Sequence, residues 1–323
     1  MRLLYISSGV GWPFCWVDDA IFHAIKESKL DVHMLNVNDF PRHIDMMGFI
    51  EVHRPKAILT MNSTAVHMNF FSELRKKGFK TALWCTDDPY DSDSSIRRGR
   101  LFDWVITDEI GCVEAYRSAS GHKALYVPLG ADTATFRKAS VEANYQSDIC
   151  IVGTGFDVRL RAVDFMSDYL NRKNTIIIGH RWEQLQRYQL LKDRIRNVVP
   201  PAEVVKYYNG AKIVLNIHRE YNCRYLNRNS RKLKTYSPNN RVFDISACGA
   251  FQIISVRRDL EKYLKSGKEC IVAKNSNDII NYCEHYLKHQ QEREQIANNA
   301  YNKVMSEHKM SDRIKKIVGL LGV

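Results

Sequence analysis

Short apolar, β-branched runs recur along this chain with helix-patterned intervals after most of them, and the series appears twice, on either side of a polar stretch near residues 127–148. That alternation demands parallel sheets, because parallel neighbours can be joined only by crossovers long enough to hold a helix. In the first half the runs fall at residues 3–7, 32–37, 57–61, 80–85, 104–107 and 124–127. In the second they fall at 149–152, 175–178, 213–217, 251–255 and 270–273. Helical spacing fits 17–28, 66–77 and 112–119, then 158–170, 202–208, 238–248 and 278–287. The fold class expected is α/β with two Rossmann-like domains, residues 1–138 and 139–308. A final helix of about residues 309–323 is placed to pack back on the first. Ligands of such sheets bind beyond the C-terminal strand ends, so two lobes facing each other across a cleft would share a site.

At 323 residues the chain is long enough for two cores. No apolar run nears the roughly 20 residues that cross a bilayer. The opening stretch 3–7 is too short for a signal core and Asp18 and Asp19 soon follow, which places the chain in the cytoplasm with no membrane span. The eight cysteines are scattered, without metal spacing, and read as reduced, buried thiols; no metal site is expected.

The net charge of +12 is unevenly held. Residues 1–138 carry 17 Lys and Arg against 17 Asp and Glu, whereas 139–323 carry 31 against 19. Between Arg219 and Arg241 lie seven basic residues and one acid, Glu220. A solvated basic loop or an anion-binding segment would both look like this.

Two motifs follow strands of the second half. Ile149-Cys-Ile-Val-Gly153-Thr-Gly155-Phe-Asp157 runs from a strand through a glycine turn into a helix, with Arg159 and Arg161 in its first turn. Such glycines let a phosphate approach backbone amides at a helix N-terminus, although a ligand-free tight turn uses them too. Ser237-Pro238 looks like an N-cap and first turn, Gly249 like the stop, and between them Arg241 and Asp244 share a face. A cation and a carboxylate there suit a phosphate and a ribose; an ordinary surface ion pair has the same spacing.

The run Asn240-Arg-Val-Phe-Asp-Ile-Ser-Ala-Cys-Gly-Ala-Phe-Gln252 resembles the motif of the CgeB/YkvP family of spore maturation glycosyltransferases. Trp84-Cys-Thr-Asp-Asp-Pro89, Val127-Pro-Leu-Gly-Ala-Asp-Thr-Ala-Thr-Phe136, Asp148-Ile-Cys-Ile-Val-Gly153 and Tyr207-Tyr-Asn-Gly-Ala-Lys-Ile-Val-Leu-Asn216 are similar to further segments, in the same order. The resemblance implies a GT-B fold, a nucleotide-sugar donor (a UDP-sugar is favoured) in the C-terminal lobe, a glycan or protein acceptor largely in the N-terminal lobe, and no obligatory metal or other cofactor. By that analogy Asp244 holds the ribose, Arg159 and Arg241 the diphosphate, and Gly153 and Gly155 lie close to it. Trp182, with Arg181 before it in Gly179-His-Arg-Trp182, follows a strand and fits either the lining of a base pocket or the core. Departures exist: Tyr236 stands where many retaining GT-B enzymes carry a Glu, and Asp244 replaces the commoner Glu.

Glycosyl transfer builds negative charge on the departing diphosphate, and inversion needs a base near the acceptor hydroxyl. Asp87 and Asp88 follow a strand and are candidate bases, though Asp before Pro89 also caps turns. His218 follows another strand and could accept a proton or be structural. Asp91-Ser-Asp93 matches the D-x-D of metal-using GT-A enzymes but sits in the wrong context and reads as a polar loop. Other functions fit these residues: a GT-B-like sugar-nucleotide epimerase, a nucleic-acid binder using the basic run and its tyrosines, and a non-catalytic spore-coat assembly protein. Nucleic acid is disfavoured because an anionic donor explains the charge locally.

Overall fold

A strand covered on both faces is predominantly apolar, and the central strands fit: every residue of Ala57–Met61 and Thr81–Cys85 is buried, with Thr60 and Thr81 their only polar members. The computed structural model describes residues 2–40, 43–120 and 123–323. Six strands, β1 (Leu3–Ile6), β2 (Val32–Leu35), β3 (Ala57–Met61), β4 (Thr81–Cys85), β5 (Trp104–Thr107) and β6 (Lys123–Tyr126), form one parallel sheet in the order β2-β1-β3-β4-β5-β6. A second parallel sheet comprises β7 (Ser147–Val152), β8 (Thr175–Ile178), β9 (Ile195–Arg196), β10 (Ala211–Asn216), β11 (Gln252–Ser255) and β12 (Ile271–Ala273), ordered β12-β11-β10-β7-β8-β9.

The first unit consists of Met1–Leu129, Leu226–Ser237 and Met310–Val323; the second of Gly130–Tyr225 and Pro238–Lys309. In the first, side-chain alternation along β1 divides the core: Leu3 and Tyr5 enter one cluster, Leu4 and Ile6 the other. Helix Met310–Leu321 lays Ile314, Ile317, Val318 and Leu321 into the same cluster as Leu3 and Tyr5. Trp84, fully buried, donates its indole N–H to the Val127 carbonyl at 3.2 Å.

The segment Leu226–Ser237 lies in the first unit although its neighbours in sequence lie in the second. Buried Glu109 explains why. Its carboxylate accepts the amides of Gly111 (2.9 Å), Tyr236 (3.0 Å) and Ser237 (3.1 Å). Asp93 takes the amide and hydroxyl of Ser230 at 3.0 and 2.7 Å. Ser237 is therefore no N-cap: its hydroxyl accepts the Ile110 amide at 3.1 Å, and the following helix begins at Arg241 with Asn240 before it. The D-x-D segment is likewise no loop, since Ser92–Gly99 is a helix.

In the second unit β7 is the first strand and lies at the centre, with β8 and β9 on one side and β10 to β12 on the other. The switch in direction falls between β7 and β10, where open α/β sheets bind ligands beyond the strand ends. No described helix is long and apolar enough to cross a membrane.

Ile314 is fully buried, so Ile314→Ala is expected to cost about 2–5 kcal/mol and lower the urea midpoint accordingly. An unchanged midpoint would show that the terminal helix contributes nothing to this core.

Candidate functional site

At the end of β7 the chain enters Gly153 with φ +138°, a conformation that side-chain-bearing residues rarely adopt. A Cβ there would lie 2.9 Å from Arg159 Nη1 and 3.2 Å from Arg241 Nη1. Two guanidinium groups therefore rest on this piece of backbone, and glycine makes their approach possible. Gly153 and Gly155 do not offer their own amides as phosphate donors: these are bonded to the carbonyls of Ile178 and His180, both at 2.8 Å. Positive charge at the turn comes from side chains.

Arg159 is buried on helix Asp157–Asn171, where Nε donates to the Ile217 carbonyl at 2.7 Å and Nη1 to the Thr154 carbonyl at 2.9 Å. That fork ties the end of β10 to the turn after β7. Arg241 Nε approaches Asn216 Oδ1 at 3.4 Å, and Asn216 and Asn239 exchange amide hydrogen bonds at 3.2 and 3.0 Å. Arg219 stacks 4.1 Å over Phe156, and Arg159 lies 5.4 Å from the same ring. Arg181 brackets the turn from the other side: its carbonyl would be 3.0 Å from a Cβ at Gly155, and its guanidinium lies 3.7 Å over Tyr225.

His218 is buried just beyond β10. Burial, then the charges of Arg257, Arg241 and Arg159, push its pKa well below the usual histidine value, so the ring is neutral. Nδ1 lies 3.1 Å from the Ser255 carbonyl, a pure acceptor, which places the proton on Nδ1. Nε2 keeps a lone pair and has no hydrogen-bond partner. Such a ring is a weak base and a good hydrogen-bond acceptor.

Asp244 is turned inward, at 4% exposure. Its carboxyl accepts the Asp132 amide at 3.4 Å and the Asn240 side-chain amide at 3.1 Å, and burial, reinforced by neighbouring Asp132, raises its pKa well above the ordinary carboxylate range. It shapes the start of helix Arg241–Ala247. Of the two readings of Trp182, base pocket or core, its 0% exposure favours the core; its indole N–H donates to the Gly153 carbonyl at 2.9 Å and supports the turn from within.

In the first unit, Asp88 is also taken from the catalytic candidates by its surroundings. Its carboxylate accepts Thr107 Oγ1 at 2.6 Å and Tyr116 OH at 2.7 Å, behind β4 and β5. Burial pushes its pKa up to about 6. Asp87, two residues past the end of β4, is half-buried. Asp108, not anticipated from sequence, has its pKa raised well above normal by burial and by Asp88, Glu109 and Asp87. Arg257 was missed as well; it follows β11 and donates to the Arg219 carbonyl at 2.8 Å. Its position two residues past a strand end was the available signal. His285, His289 and Glu292 bring ligand atoms within 4.8 Å of one another on the surface, a grouping with metal-ligand chemistry that spacing along the chain did not suggest.

Two six-stranded parallel sheets, the second with a switch point between β7 and β10, make a fold of the GT-B type, and residues 159–319 match the family described as Glycosyl transferase-like. Over 310 residues, 94% of each chain, the protein is 29% identical to Spore protein CgeB of Bacillus subtilis (strain 168), so the resemblance carried by the motifs extends along nearly the whole chain. Among solved structures it superposes on sucrose-phosphate synthase (tll1590) from Thermosynechococcus elongatus with a TM-score of 0.66 at 12% identity, covering 100% of this chain and 99% of that one. It matches Anabaena Alr3699/HepE, solved in complex with UDP and glucose, with a TM-score of 0.65 at 11% identity and the same coverage.

Asp88 gives a pH dependence. Below about pH 4 it is protonated in both folded and unfolded chains; as pH rises from there to about 6 only the folded form keeps the proton, and stability falls by at most about 3 kcal/mol. Asp88→Asn is expected to flatten this part of the curve. Urea midpoints at acid and neutral pH check it, and equal slopes in both proteins would count against the assignment.

Proposed function

We propose that this protein transfers a sugar from a nucleotide-sugar donor, a UDP-sugar in the favoured case, to a glycan or protein acceptor. The observation that carries this is the convergence of Arg159 and Arg241 on Gly153 at the switch point of the second sheet. Arginines preorganised where a diphosphate departs stabilise the charge that develops there, and in a partly buried site they do so with little reorganisation. The UDP-bound neighbour supports the choice of nucleotide, and the relative named a spore protein supports a role connected with the spore.

In this mechanism Arg159 and Arg241 hold the diphosphate, while Arg219 and Arg181 extend the positive field. Neutral His218 accepts a hydrogen bond from a donor hydroxyl through Nε2. Its lowered pKa makes it unsuited to deprotonate an acceptor, a task better matched to Asp87. Asp244 acts by positioning, through Asn240 and the Asp132 amide. The domains that divide this work are the donor unit, read from sequence as residues 139–308, and an acceptor unit read as 1–138 with the terminal helix. The donor chemistry needs no metal in this scheme, because arginines supply the charge.

UDP is expected to raise the melting temperature of the wild type, and Arg159→Ala or Arg241→Ala to weaken UDP at least about tenfold, a loss of roughly 1.4 kcal/mol. A shift unchanged in both variants would remove the site from this strand end. Incubating the protein with UDP-sugars but no acceptor then separates transfer from isomerisation: an epimerised sugar in that mixture would replace the transferase reading with an epimerase.

A further inference from the structure

A cavity of about 950 Å³ in the second unit lies at the opposite end of its strands from Gly153. Its walls include Ser147, Asn174, Ala211 and Phe251, the residues at or just before the starts of β7, β8, β10 and β11. The strand-end chemistry described above is therefore not involved, and the volume falls within the range of small-molecule sites.

Three cations and two acids line it: Lys138, Lys212 and Arg293 against Asp148 and Glu294. The acids are engaged. Asp148 takes Lys212 Nζ at 2.8 Å and the Asn174 amide at 3.1 Å, and Glu294 takes the Gln290 side chain at 2.7 Å. The other two cations hydrogen-bond only to neutral groups. Lys138 Nζ sits 3.0 Å from Asn298 Oδ1 and 4.0 Å over the Tyr301 ring. Arg293, at 8% exposure, donates to the Tyr286 carbonyl and has no carboxylate within 4.0 Å among the described residues. A buried guanidinium normally has an anion beside it, because desolvation of the charge is otherwise uncompensated. Burial lowers the Arg293 pKa from its ordinary value, and the nearby charges of Glu294 and Asp148 offset this only in part. Gly249, at φ +65°, keeps the wall open to Lys138: a Cβ there would lie 2.5 Å from Lys138 Cε.

We propose that this cavity is a second ligand site, separate from the donor site, that binds a phosphate-bearing small molecule through Arg293 and Lys138. The planar fork of Arg293 matches two phosphate oxygens and the lysine adds a point charge. The remaining amide and hydroxyl lining can meet the hydroxyls of an attached sugar. Nothing in this assignment depends on the identity of the donor.

Calorimetric titration of the full chain with inorganic phosphate, glucose 6-phosphate and glucose tests it. Binding of one or both phosphate compounds, in the micromolar to about millimolar range, is expected, and none of glucose. Tighter binding of the sugar phosphate than of phosphate would identify a phosphorylated sugar as the ligand; equal binding would identify the phosphate group alone. Arg293→Gln should weaken the interaction about tenfold, and Asn298→Asp, an exposed change that sets a carboxylate beside Lys138, by several fold, while Arg241→Ala should leave it intact. Should Arg293→Gln fail to fold, Asn298→Asp and Lys138→Gln decide. Absence of binding by either phosphate compound overturns the proposal. So does binding that survives the cavity variants and disappears in Arg241→Ala, which would place the anion at the other end of the strands.

Discussion

The arrangement of the second unit depends on one close approach: the guanidinium of Arg159 lying against Gly153 while bonded to the carbonyls of Thr154 and Ile217. That single side chain joins the turn after β7 to the residues after β10, the two strand ends that a 3-2-1-4-5-6 order leaves diverging. Without it the switch point would be an open gap between backbone segments. With it, the gap becomes a rigid positive wall, to which Arg241, Arg257 and the neutral ring of His218 are added. Any residue larger than glycine at 153 would need a disfavoured φ and would collide with the guanidinium, so backbone conformation and electrostatics impose the same choice.

Strand positions were largely legible in the amino-acid sequence because the signal is physical and local. A strand buried on both faces is predominantly apolar along its length, and the six runs of the first half and five of the second correspond to β1 to β8 and β10 to β12. β9 escaped because two residues, Ile195 and Arg196, carry no period. Helix Ser92–Gly99 escaped for a different reason. Its buried face is Ser92, Ser94, Ser95 and Gly99 with Ile96, small polar residues that permit tight packing and give no hydrophobic stripe. The resemblance to CgeB-like proteins fixed the GT-B fold more firmly than periodicity could.

The site was only partly legible, and the division follows a rule. Gly153, Arg159 and Arg241, which lie together at the end of β7, could be singled out in the sequence because residue type and position mark them. Asp88, Trp182 and Asp244 were harder, because their roles depend on which way a side chain turns. Asp88 faces Thr107 and Tyr116, Trp182 faces the Gly153 carbonyl, and Asp244 faces Asn240 and Asp132. All three still serve strand ends or the helix that follows them, but by holding backbone in place. Spacing cannot separate a residue that touches a ligand from one that fixes the residue that does.

The basic run shows the same limit at larger scale. Read as one segment from Arg219 to Arg241, it looks like a single anionic receptor. In the structure it divides: Arg219 and Arg224 stay with the second unit, while Arg228, Arg231, Lys232 and Lys234 lie on a segment of the first. Acidic side chains organise that division through backbone contacts. Glu109 spends its carboxylate on the amides of Gly111, Tyr236 and Ser237, and Asp93 spends its own on the amide and hydroxyl of Ser230. Carboxylates committed to backbone amides fix where the loop lies, and Arg228 adds an ion pair to Asp91 at 3.7 Å. The charge excess of the second half of the chain is thus shared between two folded units, and only the part that reaches Phe156 and Gly153 belongs to the donor site proposed above.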